Sequence, residues 1–253
     1  MKKCTNAMGR MAMKIVDAFQ AVFGFNKRMK KQVDAHSNGE IEKPVEMLRN
    51  LPWLSNLEEQ VFQQVMDGFE NRQFPEGATL LKEEDPDNGL FVIVDGKVKI
   101  EIRGITMDVV GAGSLIGEMA VLTGYPRSAS VVAVSPVTVV WIESSTLKSI
   151  MKKSVELENG LWEFASMRFA MNLLGKREPY SQWEQNIFIQ WLAAGEIKLP
   201  NENGWIDLEG KVGVLVTGTA AQHDGSTIVK SPATLIGTDY IFSKEARVYL
   251  REK

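Results

Sequence analysis

The sequence predicts a mainly β protein, with short strands closing into a sandwich or barrel and α-helices flanking them. Three observations carry this. From Asn71 onward the apolar residues alternate with period two, in short runs rich in Val and Ile. Turn residues punctuate the runs, at Pro75-Glu76-Gly77, at Asp85-Pro86-Asp87-Asn88-Gly89 and at Asp95-Gly96. On either side, before Asn71 and from Ser144, the apolar spacing becomes helical.

Composition sets the frame. The chain has 253 residues, 44% hydrophobic, enough for one large or two small domains with cores of their own. A net charge of −3 gives no overall attraction to nucleic acid or anionic lipid. The charge is unevenly spread. Residues 1–31 carry eight Lys and Arg against Asp17, a net +7 that leaves −10 for the rest. Cys4 is the single cysteine, so no internal disulfide forms and a reducing compartment fits. Arg10, Lys14 and Asp17 interrupt the first apolar stretch, which argues against a signal peptide. No apolar run reaches the roughly 18 residues that a membrane span needs.

The elements follow in order. Residues 8–31 have helical spacing at Met13, Val16, Phe19 and Phe23, and are expected to form a basic amphipathic leader within residues 1–46, a helix that packs on a partner surface or, as the alternative, lies at a membrane. After Pro44, Ser55 and Glu58 make an S-x-x-E capping signature, which predicts a helix from about Asn56. Asp95-Gly96, between Phe91–Val94 and Lys97–Ile102, predicts a two-residue hairpin. Further strands are expected at Met107–Val110, Ala129–Val134 and Thr138–Ile142. Residues 144–174 give two helices, and a shorter one follows within residues 175–200. The tail then echoes the first β region. Gly-Lys-Val recurs at 96–98 and 210–212, and Leu-Ile-Gly at 115–117 and 235–237. We read a second, smaller and degenerate β unit within residues 175–253.

The segment GEMAVLTGYPRSAS, Gly117 to Ser130, holds one acid and one arginine among small and apolar residues. A turn or short helix at Glu118–Leu122 would expose N–H groups that favour an anion. Gly117 allows close approach to the backbone. The Arg127 fork suits two phosphate oxygens, and Glu118, an acceptor, suits a sugar hydroxyl. On the residues alone, a surface Glu–Arg pair of little energetic consequence reads equally well.

Resemblance separates the two readings. Residues 116–133, IGEMAVLTGYPRSASVVA, resemble the phosphate-binding cassette of cyclic nucleotide-binding domains, F-G-E-[LIM]-A-L-x-x-x-x-P-R-x-A-[ST]-V-x-A. Ile116 replaces Phe and Val121 replaces Leu. The likeness covers about residues 47–174. It implies a jelly-roll-like β-roll with N-terminal helices and C-terminal lid helices, and it implies cAMP or cGMP as ligand, with no cofactor, metal or catalytic residue. By the same resemblance Glu118 accepts from the ribose 2′-hydroxyl and Arg127 pairs with the cyclic phosphate. Gly117, Met119, Ala120 and Ala129 bring backbone groups to the ligand, and Ser128 adds a hydroxyl. Val98, Ile100 and Val110 pack the base, and the helix over 157–173 serves as lid.

Other chemistry fits less well. GAGSLIG has a dinucleotide-like look but lies in β context with one residue too many. His36 and His223 are too few for a cupin metal site. The tail is not basic and offers no helix pair for a major groove, which argues against a DNA-binding regulator. A second cassette would carry Thr238 where Glu118 sits, with Arg247 a weak stand-in for Arg127, so one competent site is expected. The arrangement is similar to the cytosolic tail of sodium/proton antiporters of the sperm-type and plant or microbial kinds. It implies a non-enzymatic regulatory module on the cytoplasmic side of a membrane, attached to a transporter and dimeric through its parent. A channel tail, a kinase regulatory subunit and a non-binding scaffold are the alternatives.

Overall fold

The computed structural model describes residues 44–253 except Ser226. The basic helix expected at 8–31 lies outside the described residues. The described chain divides into two compact units, residues 44–161 and 162–253. This division falls inside one long helix.

The first unit opens with α1 (Val45–Arg49) and α2 (Glu59–Gly68). The capping signature at Ser55 does not start a helix. Residues 51–57 run in turns, Ser55 Oγ donates to the Pro52 carbonyl at 3.3 Å, and α2 begins at Glu59 after an extended Glu58. Eight strands follow: β1 (Phe69–Phe74), β2 (Thr79–Leu81), β3 (Gly89–Asp95), β4 (Lys97–Ile102), β5 (Ile105–Gly111), β6 (Leu115–Ile116), β7 (Ser130–Ala133) and β8 (Val137–Glu143). They form two four-stranded sheets, ordered β1-β8-β3-β6 and β2-β7-β4-β5.

One core lies between these sheets. Phe91, Ile93, Val137 and Val139 enter it from the first sheet, and Leu81, Val98, Val110 and Val131 from the second. Alternation along each strand sends every second side chain inward. In β8, Val140 and Ile142 are buried as well, because α2 and α4 (Ser144–Met151) lie against that strand. This is why β8 reads as a nearly continuous apolar run.

The hairpin expected at Asp95-Gly96 is a corner instead. β3 and β4 belong to different sheets, so the chain crosses the roll there. The requirement for glycine is real: Gly96 has φ of +87°, and a Cβ would lie 2.2 Å from the Pro136 carbonyl oxygen. The two-residue hairpin is the next turn, where Arg103 (φ +51°) and Gly104 (φ +76°) join the paired strands β4 and β5. Two successive positive φ values match the twist of the flanking strands.

Helix α5 (Val155–Leu174) crosses the division between units. The second unit continues through α6 (Gln185–Ala193) to β9 (Glu196–Lys198), β10 (Lys211–Thr217), β11 (Thr219–Gln222), β12 (Ile228–Lys230), β13 (Ala233–Leu235), β14 (Tyr240–Phe242) and β15 (Arg247–Glu252). Its sheets are ordered β13-β10-β15-β9 and β12-β11-β14. Strand for strand, the first repeats β6-β3-β8-β1 and the second repeats β5-β4-β7. Leu208, Leu215, Tyr240, Phe242 and Val248 fill its core.

This topology changes the register of the internal echo. Gly-Lys-Val at 210–212 opens β10, the counterpart of β3, whereas Gly-Lys-Val at 96–98 opens β4. The equivalent of Gly96 is Gly218, also at positive φ (+78°) and also at the corner between sheets. Arg247, the expected stand-in for Arg127, begins β15 and lies over the Trp162 ring at 4.0 Å.

Among the described residues no helix is long and apolar enough to cross a membrane. The two corners yield a stability prediction. Gly96→Ala meets a backbone oxygen and Gly218→Ala meets Ala246 Cα at 2.8 Å, both at positive φ. Each is expected to lower urea unfolding stability by about 2 kcal/mol or more. Gly77→Ala, with open space around it, is expected to cost only the backbone strain.

Candidate functional site

The thirteen residues 117–129 join β6 to β7 and form a self-contained loop. Gly117 has φ of +88° and caps α3 (Glu118–Thr123), which ends on Gly124 at φ +72°. Thr123 Oγ1 donates to the Met119 carbonyl at 2.6 Å and accepts the Tyr125 N–H at 3.2 Å, which turns the chain back. Two backbone bonds then clamp Arg127 to the loop before β3. Its N–H donates to the Asp85 carbonyl, and its carbonyl accepts from Glu84 N–H, both at 2.9 Å.

Both charged side chains of this loop are buried, with 3% of each exposed. Burying a carboxylate and a guanidinium in a loop of small residues is costly unless both are well served. The Arg127 fork is served on two sides. Nη1 donates to the Gly117 carbonyl at 2.7 Å. Nη2 donates to Asn88 Oδ1 at 2.7 Å and to the Gly89 carbonyl at 2.5 Å, and lies 3.6 Å from Asp87 Oδ1. Burial pushes the Arg127 guanidinium below its usual range, and the fields of Asp87, Glu118 and Asp85 oppose that shift. Its Nε–H is buried and meets no acceptor among the described residues. A buried donor without a partner is uncommon in a folded protein.

Asp87 ties the loop to the helix behind it. Its carboxylate accepts from Gly89 N–H at 3.0 Å, from Lys148 Nζ at 2.9 Å and from Ser144 Oγ. Ser144 and Lys148 belong to α4, so a single carboxylate faces the cassette arginine on one side and α4 on the other. Gly89 is constrained by crowding as much as by conformation: a Cβ there would lie 2.2 Å from the Ile142 carbonyl oxygen.

The structure brings the sequence-predicted residues together in the first unit. Gly117 caps α3. Glu118 and Ala120 are buried, Met119 and Ala129 are half-buried, and Ser128 is exposed. Val98 and Val110 face each other across β4 and β5 in the core of the roll, and Ile100 packs against the same core. Sequence reasoning missed Asp87, Asn88 and Gly89, which it read only as a turn. Their signal was the acidic-amide-glycine run before an apolar strand, but their distance of nearly forty residues from Arg127 hides the contact.

With this geometry in place, the comparisons are informative. Residues 71–154, within the first unit, match the model of the cyclic nucleotide-binding domain family. A cyclic nucleotide-gated potassium channel of Mesorhizobium japonicum is 25% identical over 119 residues, 47% of this chain and 33% of that one. A cAMP-dependent protein kinase regulatory subunit of Colletotrichum orbiculare is 28% identical over 108 residues, 42% of this chain and 28% of its own. The matched stretch thus spans about a third of the length of these relatives. Among solved structures, a putative cyclic nucleotide-binding protein of Geobacter metallireducens has TM-score 0.45 at 23% identity, covering 49% of this chain and 92% of its own. The cAMP complex of the regulatory domain of Toxoplasma gondii PKA has TM-score 0.44 at 16% identity, covering 91% and 92%.

Asp87→Ala is expected to leave Arg127 and Lys148 without their shared carboxylate. The predicted loss is about 2 kcal/mol in urea unfolding. A Lys148→Ala variant should cost far less, because its side chain is 43% exposed.

Proposed function

We propose that the chain is a regulatory module which binds one cyclic nucleotide in the first β-roll and passes that binding to an attached effector. The observation that carries this is the pair of buried charges, Glu118 and Arg127, in a thirteen-residue loop that also leaves the Arg127 Nε–H without an acceptor. In this reading the phosphate meets Arg127 and the backbone N–H groups near Met119, Ala120 and Ala129. The ribose meets Glu118, the base packs toward Val98, Ile100 and Val110, and Ser128 stands at the rim. Helix α5 acts as the lid, a two-state element that the ligand biases. Coupling of this kind is typically about 1–3 kcal/mol, enough to tune an effector.

The second β unit supports a single site. Where residues 117–129 join β6 to β7, only residues 236–239 join β13 to β14. Tyr240 closes that short loop on itself, its hydroxyl donating to the Ile236 carbonyl at 2.6 Å. Thr238 stands in the four-residue loop, and no arginine follows it before β14. The shortened loop favours an effector other than a two-cassette kinase subunit. We propose a membrane transport protein, with a sodium/proton antiporter as the specific reading and dimerisation supplied by the parent. The channel relative from Mesorhizobium japonicum favours a channel tail as the second reading.

Calorimetric titration of the chain with cAMP and with cGMP tests the site. One nucleotide is expected to bind per chain. Arg127→Ala should weaken it by about 100-fold or more, while circular dichroism shows the β content retained. Arg127→Lys, which keeps the charge and loses the fork, should fall between. Wild-type affinity in Arg127→Ala would remove the site from this loop. Chromatography of the recovered ligand should show it unchanged, as binding without turnover requires.

A further inference from the structure

The outward face of the second unit's three-stranded sheet is apolar where the first unit's equivalent is charged. β11 pairs with β12 and β14 so that Ile228, Ala221 and Ile241 stand directly opposed in one row. Directly opposed residues project from the same face of a sheet. Ala220 and Phe242, the next residues along their strands, are in the core, so this row faces away from it. Ile228 is 66% exposed and Ile241 40%. Gly96 and Gly218 are equivalent corners, which sets Ala221 at the place of Lys99 and His223 at the place of Glu101. In the first unit the same row reads Val109, Lys99, Val132, and Lys99 Nζ pairs with Glu101 Oε1 at 2.7 Å. The second unit has no such ion pair, and its apolar residues join into a stripe. Trp205 borders the stripe. The Gly204 carbonyl beside it accepts the Phe242 N–H at 2.8 Å, and the exposed Trp205 ring lies 5.9 Å from that of His223.

Charge points to what covers the stripe. Residues 162–253 carry eleven acidic and ten basic side chains, a net −1, whereas residues 44–161 carry seventeen and ten, a net −7. Two copies of the first unit repel each other, and two copies of the second do not. The borders of the stripe also carry opposite charges. Residues two apart on a strand share a face, so Lys230, opposite Thr219, lies on one side of the row. Asp239 lies on the other side, where its carbonyl accepts the His223 N–H at 3.3 Å. Both Lys230 and Asp239 are exposed. A two-fold axis along the row turns one copy over onto another. It lays each isoleucine on its own counterpart and sets the Lys230 border of each copy against the Asp239 border of the other. We propose that this sheet face is the interface between two copies of the chain. That role for the second β unit does not depend on the nucleotide site.

Sedimentation velocity of the full chain tests this. Between about 1 and 200 µM it should show a reversible monomer–dimer equilibrium, with a dissociation constant of about 10–100 µM because the stripe is short. Ile228→Glu should weaken the dimer by about tenfold or more. Val109→Glu, which adds the same charge at the equivalent place in the first unit, should leave it unchanged. Lys230→Glu and Asp239→Lys should each weaken the dimer, and the double variant should restore it, as facing borders of opposite charge require. Circular dichroism should be the same in all five proteins, since every substituted side chain is exposed. A wild-type chain that stays monomeric at every concentration would overturn the proposal and leave the stripe to the chain's own basic leader or to a different partner. A dimer indifferent to Ile228→Glu and to both charge reversals would overturn it by placing the contact elsewhere.

Discussion

The guanidinium of Arg127 holds the first unit's loops in register. Its two outer nitrogens reach the carbonyl that caps α3, the carbonyl that opens β3, and the side chains of Asp87 and Asn88. Two separate stretches of chain, residues 87–89 and Gly117, therefore converge on one planar fork, which only arginine supplies. Gly117 and Gly89 are glycines because the fork and its surroundings leave no room for a Cβ: at Gly117 it would lie 2.6 Å from Arg127 Nη1. The fold thus spends two buried charges on one short loop, and a conformationally free residue both in that loop and at the start of β3. Stability alone does not call for that, since apolar side chains of similar volume would pack at lower cost.

Asp87 extends the same network to α4. One carboxylate receives Ser144 and Lys148 from the helix and lies against Arg127 from the cassette. A phosphate arriving at Arg127 would compete for the field that Asp87 now supplies. The helix that begins at Ser144 is then the first element to feel the change. This gives the proposed coupling a physical start within the first unit, in a contiguous set of charge-assisted bonds.

The comparison between the two β units shows what the loop adds. Seven strands repeat in the same order with the same partners, and each unit has its own core. β2 has no counterpart in the second unit, and the connection after the β6-like strand differs, thirteen residues in one and four in the other. The roll folds without the cassette, so the cassette is a site placed on the roll and not a part of its framework.

The sequence made the cassette legible because its parts are local. Glu118 and Arg127 sit nine residues apart, and the glycines that shape the turn lie between and beside them. The partners of Arg127 were not legible, because Asp87 and Asn88 come from a distant loop whose residues look like any turn. Asp95-Gly96 was misread for a related reason. A hairpin and a corner both ask for positive φ at the glycine, and only pairing beyond the turn tells them apart. The Gly-Lys-Val echo pointed to a real repeat in the wrong register, since the same three residues open a β3-like strand in one unit and β4 in the other. Ser55 matched a capping pattern, but the turns after Pro52 carry the chain past it and the helix starts at Glu59. The central claim is that a nucleotide phosphate takes the free donor of Arg127. It is tested most directly by following the Arg127 Nε–H in a ¹H–¹⁵N spectrum during titration with cAMP. The account predicts a large saturable shift of that resonance, together with the Gly117–Ala120 and Ala129 amides, and none across residues 233–242. A silent Arg127 Nε–H at saturating nucleotide would contradict it.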